Sequence, residues 1–163
     1  MQFIILAAFF LDAYAFSTEG IIGFAIGKRN KKSFLMSVNN SIQLSFFTAL
    51  IISLFYLIFF KEIINIITDV EILRFLSYKH AIWIIIIPPI ASFCYQLDGI
   101  FIGASQTQDM RNGMMISVAS FIILSIYTTK YFGNHGLWFS LTLFIALRSI
   151  TLRYFFKNIL KKF

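Results

Sequence analysis

The stretch Ala81–Ala104 reads AIWIIIIPPIASFCYQLDGIFIGA, and its reading decides the fold. Across it the one charged side chain is Asp98. A helix needs about 20 predominantly apolar residues to cross the hydrocarbon core of a bilayer, and this run suffices. Within it, Pro88-Pro89 removes two backbone donors and frees the carbonyls of Ile84 and Ile85, so a kink is expected there. Freed carbonyls at membrane depth are tolerated where protein or water satisfies them. A kinked helix that then carries Tyr95, Gln96 and Asp98 is expected to line a cavity or to move. The alternative is a static bend in which Asp98 pairs with Tyr95, or with Gln43 of another helix.

Working outward, four more windows have the same character. They are Phe3–Ile26, ended by Lys28-Arg29-Asn30-Lys31-Lys32; Ile42–Phe60, ended by Lys61-Glu62; Met114–Tyr131, ended by Gly133-Asn134; and Leu137–Phe156, followed by the basic tail Lys157–Phe163. The 163 residues are 59% hydrophobic and 13% charged, with mean hydropathy +0.82. A soluble domain is about 45–50% apolar and about 25% charged, so the surplus faces lipid. The reading is therefore an all-α polytopic membrane protein with about five transmembrane helices, residues 1–163 forming one membrane unit. A β-barrel is excluded, because the windows are too long and lack alternation. No cleavable signal is expected, since residues 1–11 lack a basic leader and run on into a longer span.

Net charge +7 could suggest nucleic acid. The basic residues sit between apolar runs and not on a soluble face, so no nucleic-acid partner is expected. The single cysteine, Cys94, excludes an internal disulfide and a cysteine-based metal cage. Residues 62–79 differ from the spans. Ile63, Ile64, Ile66 and Ile67 alternate in groups with Glu62, Asn65, Thr68 and Asp69, which predicts amphipathic turns lying in the interface. Five spans place the termini on opposite sides. Lys28, Arg29, Lys31, Lys32, Arg111, Lys157, Lys161 and Lys162 fall on one side, with Arg148 and Arg153 towards it. Lys61, Arg74, Lys79 and Lys130 fall on the other. The richer side is read as cytoplasmic, with the N-terminus outside.

Ionisable residues inside spans are functional candidates by default. Asp12 and Glu19 share a helix face, about 10 Å apart along the axis. That face also carries Ala8, Ala15, Gly23 and, at its edge, Gly27; Gly23 and Gly27 form a G-x-x-x-G that permits close helix approach. The two acids serve a cavity or merely bond to neighbouring helices, and the residues leave both open. Arg148 is expected to snorkel to the cytoplasmic surface rather than to pair with an acid. His80 and His135 are read as structural, and Trp83 and Trp138 as interfacial anchors. There is no G-x-S-x-G, H-E-x-x-H or Walker A sequence, so no enzyme chemistry and no ATP-driven transport is encoded.

Several of these blocks resemble one family. Leu11-Asp12-Ala13-Tyr14-Ala15-Phe16 through Glu19-Gly20-Ile21-Ile22-Gly23 to Gly27 is similar to a segment of multidrug and toxic compound extrusion (MATE) transporters of the DinF-like subfamily. So are Gln96-Leu97-Asp98-Gly99-Ile100-Phe101-Ile102-Gly103-Ala104, the following Asp109-Met110-Arg111-Asn112, and Gly133-Asn134-His135-Gly136-Leu137-Trp138 with Ala146-Leu147-Arg148. The resemblance implies five helices matching helices 8–12 of a twelve-helix fold, in its second, C-terminal lobe. It implies a cation-coupled antiporter in the plasma (inner) membrane that exports small organic molecules, with H⁺ or Na⁺ as coupling ion and no cofactor. Asp98 matches a cation-site position, with Asp12, Glu19, Tyr95 and Gln43 as further cavity candidates and Gly23, Gly27, Gly99 and Gly103 as close-packing positions. Phe24 departs from the family, which often has Gln there. The first lobe, encoded in the same gene or an adjacent frame, is the implied protein partner. The alternatives are a non-transporting subunit, a gene remnant, or a lipid-linked-saccharide flippase of the wider superfamily.

Overall fold

The computed structural model describes residues 2–161 and residue 163. Lys162, counted above with the basic side, lies outside the described residues. Six helices follow in order: α1 Gln2–Gly27, α2 Lys31–Ile67, α3 Glu71–Lys79, α4 Ala81–Gly103, α5 Thr107–Phe132 and α6 Asn134–Leu160. Five are long and apolar enough to cross a membrane, and α3 is not.

α4 is the hub. It packs against α1, α2 and α6, while α5 rests chiefly on α6. Eleven of the 23 residues of α4 are buried, against two in α5, Gly113 and Ser117. The near-continuous apolar run of α4 reflects this position, since a helix surrounded by others needs no polar face. The helix continues through Pro88-Pro89 without interruption, and Ser92 Oγ turns back to donate to the Pro89 carbonyl (2.8 Å).

The core forms three stacked layers. Ala7, Tyr56, Phe60, Ile64 and Ile84 fill one end; Leu11, Ala49, Ile87 and Ala91 the middle; Ile22, Ala25, Phe34, Leu97, Phe101, Leu152 and Ile159 the basic end. Outside these layers large apolar side chains face outward all along the spans, among them Phe9, Phe16, Ile51, Leu54, Ile126 and Tyr131. Water would not tolerate such a surface, and lipid does.

Three boundaries differ from the sequence reading. The helix of the second span begins at Lys31 and ends at Ile67, so at 37 residues it is about 55 Å long. It overshoots a hydrocarbon core of about 30 Å at both ends. Lys61 and Glu62 end the apolar window but not the helix, because both are good helix formers once clear of lipid. The interfacial segment 62–79 is accordingly split between the last turns of α2 and the short α3, which has no fully buried residue. Arg74 of α3 closes the joint. It donates to the Thr68 carbonyl (2.7 Å) and the Asn65 carbonyl (3.1 Å) and pairs with Asp69 (3.0 Å). A cation is thus placed on the carbonyls at the C-terminal end of α2, where the helix dipole favours it. At the other end Asn30 caps α2 by accepting from Ser33 N–H (2.9 Å).

At the face opposite the basic end, His80 and His135 stack with ring centroids 4.4 Å apart. Trp83 Nε1 donates to His135 Nδ1 (3.1 Å). The two histidines are 55 positions apart in the sequence. The start of α4 meeting the start of α6 brings them together.

Candidate functional site

The site forms where α1 crosses α4. Ala15, Glu19 and Gly23 recur every four residues on α1, and Gly99 and Gly103 do the same on α4, so the two stripes meet backbone to backbone. A Cβ built on Gly99 would lie 2.5 Å from the Ala15 carbonyl oxygen, and one on Gly103 would lie 2.5 Å from that of Glu19. Gly23 faces the Gly103 carbonyl at ordinary contact distance. Gly27 is a correction: nothing lies within 4 Å of its would-be Cβ. It is the last residue of α1, one turn beyond the crossing, so the working G-x-x-x-G is Gly99/Gly103.

Beside this crossing lies a cavity of 190 Å³. Asp12 and Glu19 of α1, Tyr95, Asp98 and Gly99 of α4, and Met110 of α5 line it. Three carboxylates from two helices thus converge on one space. Asp12 and Glu19 make no hydrogen bond or ion pair with any described residue. Gln43 does not join them, because it is exposed. α2 turns Ser45, Ala49 and Ser53 inward, and Gln43 sits two residues, about 200°, from Ser45.

Asp98 is held from the far side. Arg148 Nη2 of α6 lies 2.9 Å from Oδ1 and 2.8 Å from Oδ2, with side-chain exposures of 16% and 17% for arginine and aspartate. The expected snorkelling of Arg148 is therefore overturned. The residue sits eight positions, roughly 12 Å, short of Phe156, and a carboxylate lies closer than the membrane surface. A second cavity of 130 Å³ opens on this side, lined by Pro88, Ala91, Cys94, Tyr95, Asp98 and Arg148 among others. Asp98 and Tyr95 therefore stand between two cavities.

Gln96 was quoted in the sequence only as part of a motif. It is fully buried, and its carboxamide meets Thr18 Oγ1 of α1 at 2.8 Å. Thr18 also reaches the Tyr14 carbonyl (2.8 Å). One hydroxyl proton cannot serve both acceptors. The satisfied arrangement has Thr18 donating to Tyr14 and the Gln96 amide, turned end for end, donating to Thr18. A polar residue on the most buried span was the available signal. Thr18→Val strips Gln96 of this partner and is expected to cost about 1–3 kcal/mol, more than the roughly 0.6 kcal/mol of an average bond between spanning helices. Thermal unfolding in nanodiscs reads this difference; a cost below that average would mean Gln96 finds another partner.

Fold and site together define a multi-pass helical membrane protein with an acid-lined cavity between its spans. The chain belongs to the MatE family, whose family model matches residues 1–129. It is 36% identical over 152 residues to the DNA damage-inducible protein F of Escherichia coli (strain K12), a match covering 93% of this chain and 33% of that protein. The chain thus spans about a third of the length of the curated relative it matches. No solved structure matches it.

Proposed function

We propose that this chain forms part of the second lobe of a cation-coupled antiporter that exports small organic molecules. The observation that carries the reading is the single cavity on which Asp12, Glu19 and Asp98 converge, two of them without a hydrogen-bonding or charged partner among the described residues. Unpaired carboxylates at membrane depth are costly, and a cation relieves that cost. H⁺ and Na⁺ both satisfy this chemistry. Family membership supports export of xenobiotics as the activity. The matched third of a longer relative supports a first lobe, encoded in the same gene or an adjacent frame, as the partner that completes the cavity.

Cation binding would bias α4 between two arrangements only if the ion binds one of them better. The proline pair one turn above Ala91 is where α4 would bend, at the wall of the 130 Å³ cavity. The excess of Lys and Arg at the end of α1, the start of α5 and the end of α6 supports an inner-membrane orientation with that face cytoplasmic and the N-terminus outside.

The test is drug efflux from cells expressing the chain together with its first lobe. Asp12→Asn and Glu19→Gln are each expected to lower efflux at least tenfold with surface expression unchanged. Efflux at the wild-type rate in the double variant would remove the cavity acids from coupling.

A further inference from the structure

We infer that Arg148 is a tethered cation that occupies Asp98 in competition with a diffusible monovalent cation, and is a positioning residue for that site rather than a fixed brace. The inference rests on the proposed reading of the cavity as a cation site. It stands on three features of the geometry.

The first is how the arginine holds the acid. A single nitrogen, Nη2, straddles both carboxylate oxygens. The paired two-nitrogen fork, which gives the strongest and most specific arginine–carboxylate contact, is not used. Nε is buried with no partner among the described residues. The guanidinium therefore reaches Asp98 by its tip, and the stronger two-nitrogen contact is forgone.

The second is placement. Asp98 belongs to the walls of both cavities, whereas Arg148 lines the 130 Å³ one alone and Asp12 and Glu19 line the 190 Å³ one alone. A small rotation of the carboxylate would turn it from the arginine towards the other two acids. The guanidinium so released has the 130 Å³ space to move in.

The third is charge. Three carboxylates line the two cavities, and one guanidinium, on Asp98 alone, answers them. A monovalent cation arriving in the larger cavity meets Asp12 and Glu19 without partners among the described residues and must take Asp98 from Arg148. Because Arg148 is on α6 and Asp98 on α4, that exchange breaks the one ion pair that ties two spanning helices together among the described residues. Ion occupancy is thereby converted into freedom of α4 against α6.

The test is equilibrium binding of sodium and of tetramethylammonium to the chain together with its first lobe in phosphatidylcholine nanodiscs. Removing the competing charge in Arg148→Gln is expected to tighten binding of the cation about tenfold or more, as loss of a unit charge several ångströms away implies. Arg148→Lys, which keeps the charge with a less directed head, is expected to tighten it two- to threefold. A residue that only braced the fold would weaken binding when removed. Unchanged or weaker binding in folded Arg148→Gln overturns the inference while leaving the cavity reading intact. If that variant loses its helical circular dichroism, Arg148→Lys decides, and affinity equal to wild type overturns it. Absence of binding by every variant overturns the cavity reading, and this inference with it.

Discussion

Asp98→Asn is expected to destabilise the chain by about 3 kcal/mol, the lower end of the cost of removing one partner from a buried ion pair, since both side chains are part-buried. The magnitude follows from what is left behind. Arg148 cannot reach the basic face, its Nε has no partner among the described residues, and its Nη2 would lose one of its two carboxylate contacts. An asparagine oxygen still accepts one bond but leaves the positive charge uncompensated between α4 and α6. The double variant Asp98→Asn/Arg148→Gln removes both charges and keeps the volumes. It is expected to recover most of the loss, because paired removal of a buried salt bridge is often near neutral. Thermal unfolding in nanodiscs, followed by circular dichroism, measures both. A single-variant cost below about 1 kcal/mol would be that of an exposed pair and would mean that Asp98 and Arg148 are not held together.

The spans were legible because hydrocarbon imposes a length and a composition, and all five windows read from Phe3 to Phe156 lie within or almost wholly within helices of the structure. The helix ends beyond those windows were not. Lipid stops selecting residues at Lys61, while the backbone continues to Ile67 for reasons of local propensity. Asp12 and Glu19 were placeable on one face by spacing alone. Their convergence with Asp98 required knowing that α1 crosses α4 at Ala15, which no spacing within one helix reveals. Arg148 was misread for a related reason. Snorkelling is a property of a single helix in lipid, whereas pairing depends on the neighbour, and the neighbour is 50 residues away in sequence. Gln43 shows the opposite error: a polar residue in an apolar window looked like a partner for Asp98, yet α2 presents its serine and alanine stripe inward and leaves Gln43 outside.

Gly99→Ala is expected to cost about 3 kcal/mol, at the upper end for inserting a methyl group into a packed core. The added carbon would meet the Ala15 carbonyl oxygen at 2.5 Å, its carbon at 3.0 Å and its Cα at 3.1 Å, all of them backbone. No side chain can rotate away, so α1 and α4 must separate. That separation removes the Cα–H···O contacts that such a crossing allows, and it opens the wall of the 190 Å³ cavity, of which Gly99 is part. Gly103→Ala meets the Glu19 carbonyl oxygen in the same way one turn on, with Ile22 Cβ also at 3.1 Å. A single displacement of α1 relieves both clashes. The double variant should therefore cost clearly less than the two singles added, a coupling expected of sites that share one backbone shift. Gly27→Ala is the internal control: its Cβ meets nothing within 4 Å, and it is expected to change stability by no more than about 0.5 kcal/mol. Unfolding midpoints of the four chains in nanodiscs decide the matter. Additive costs at Gly99 and Gly103 would place the two glycines in independent contacts, and a cost at Gly27 equal to theirs would move the close approach of the helices to the stripe that the sequence alone suggested.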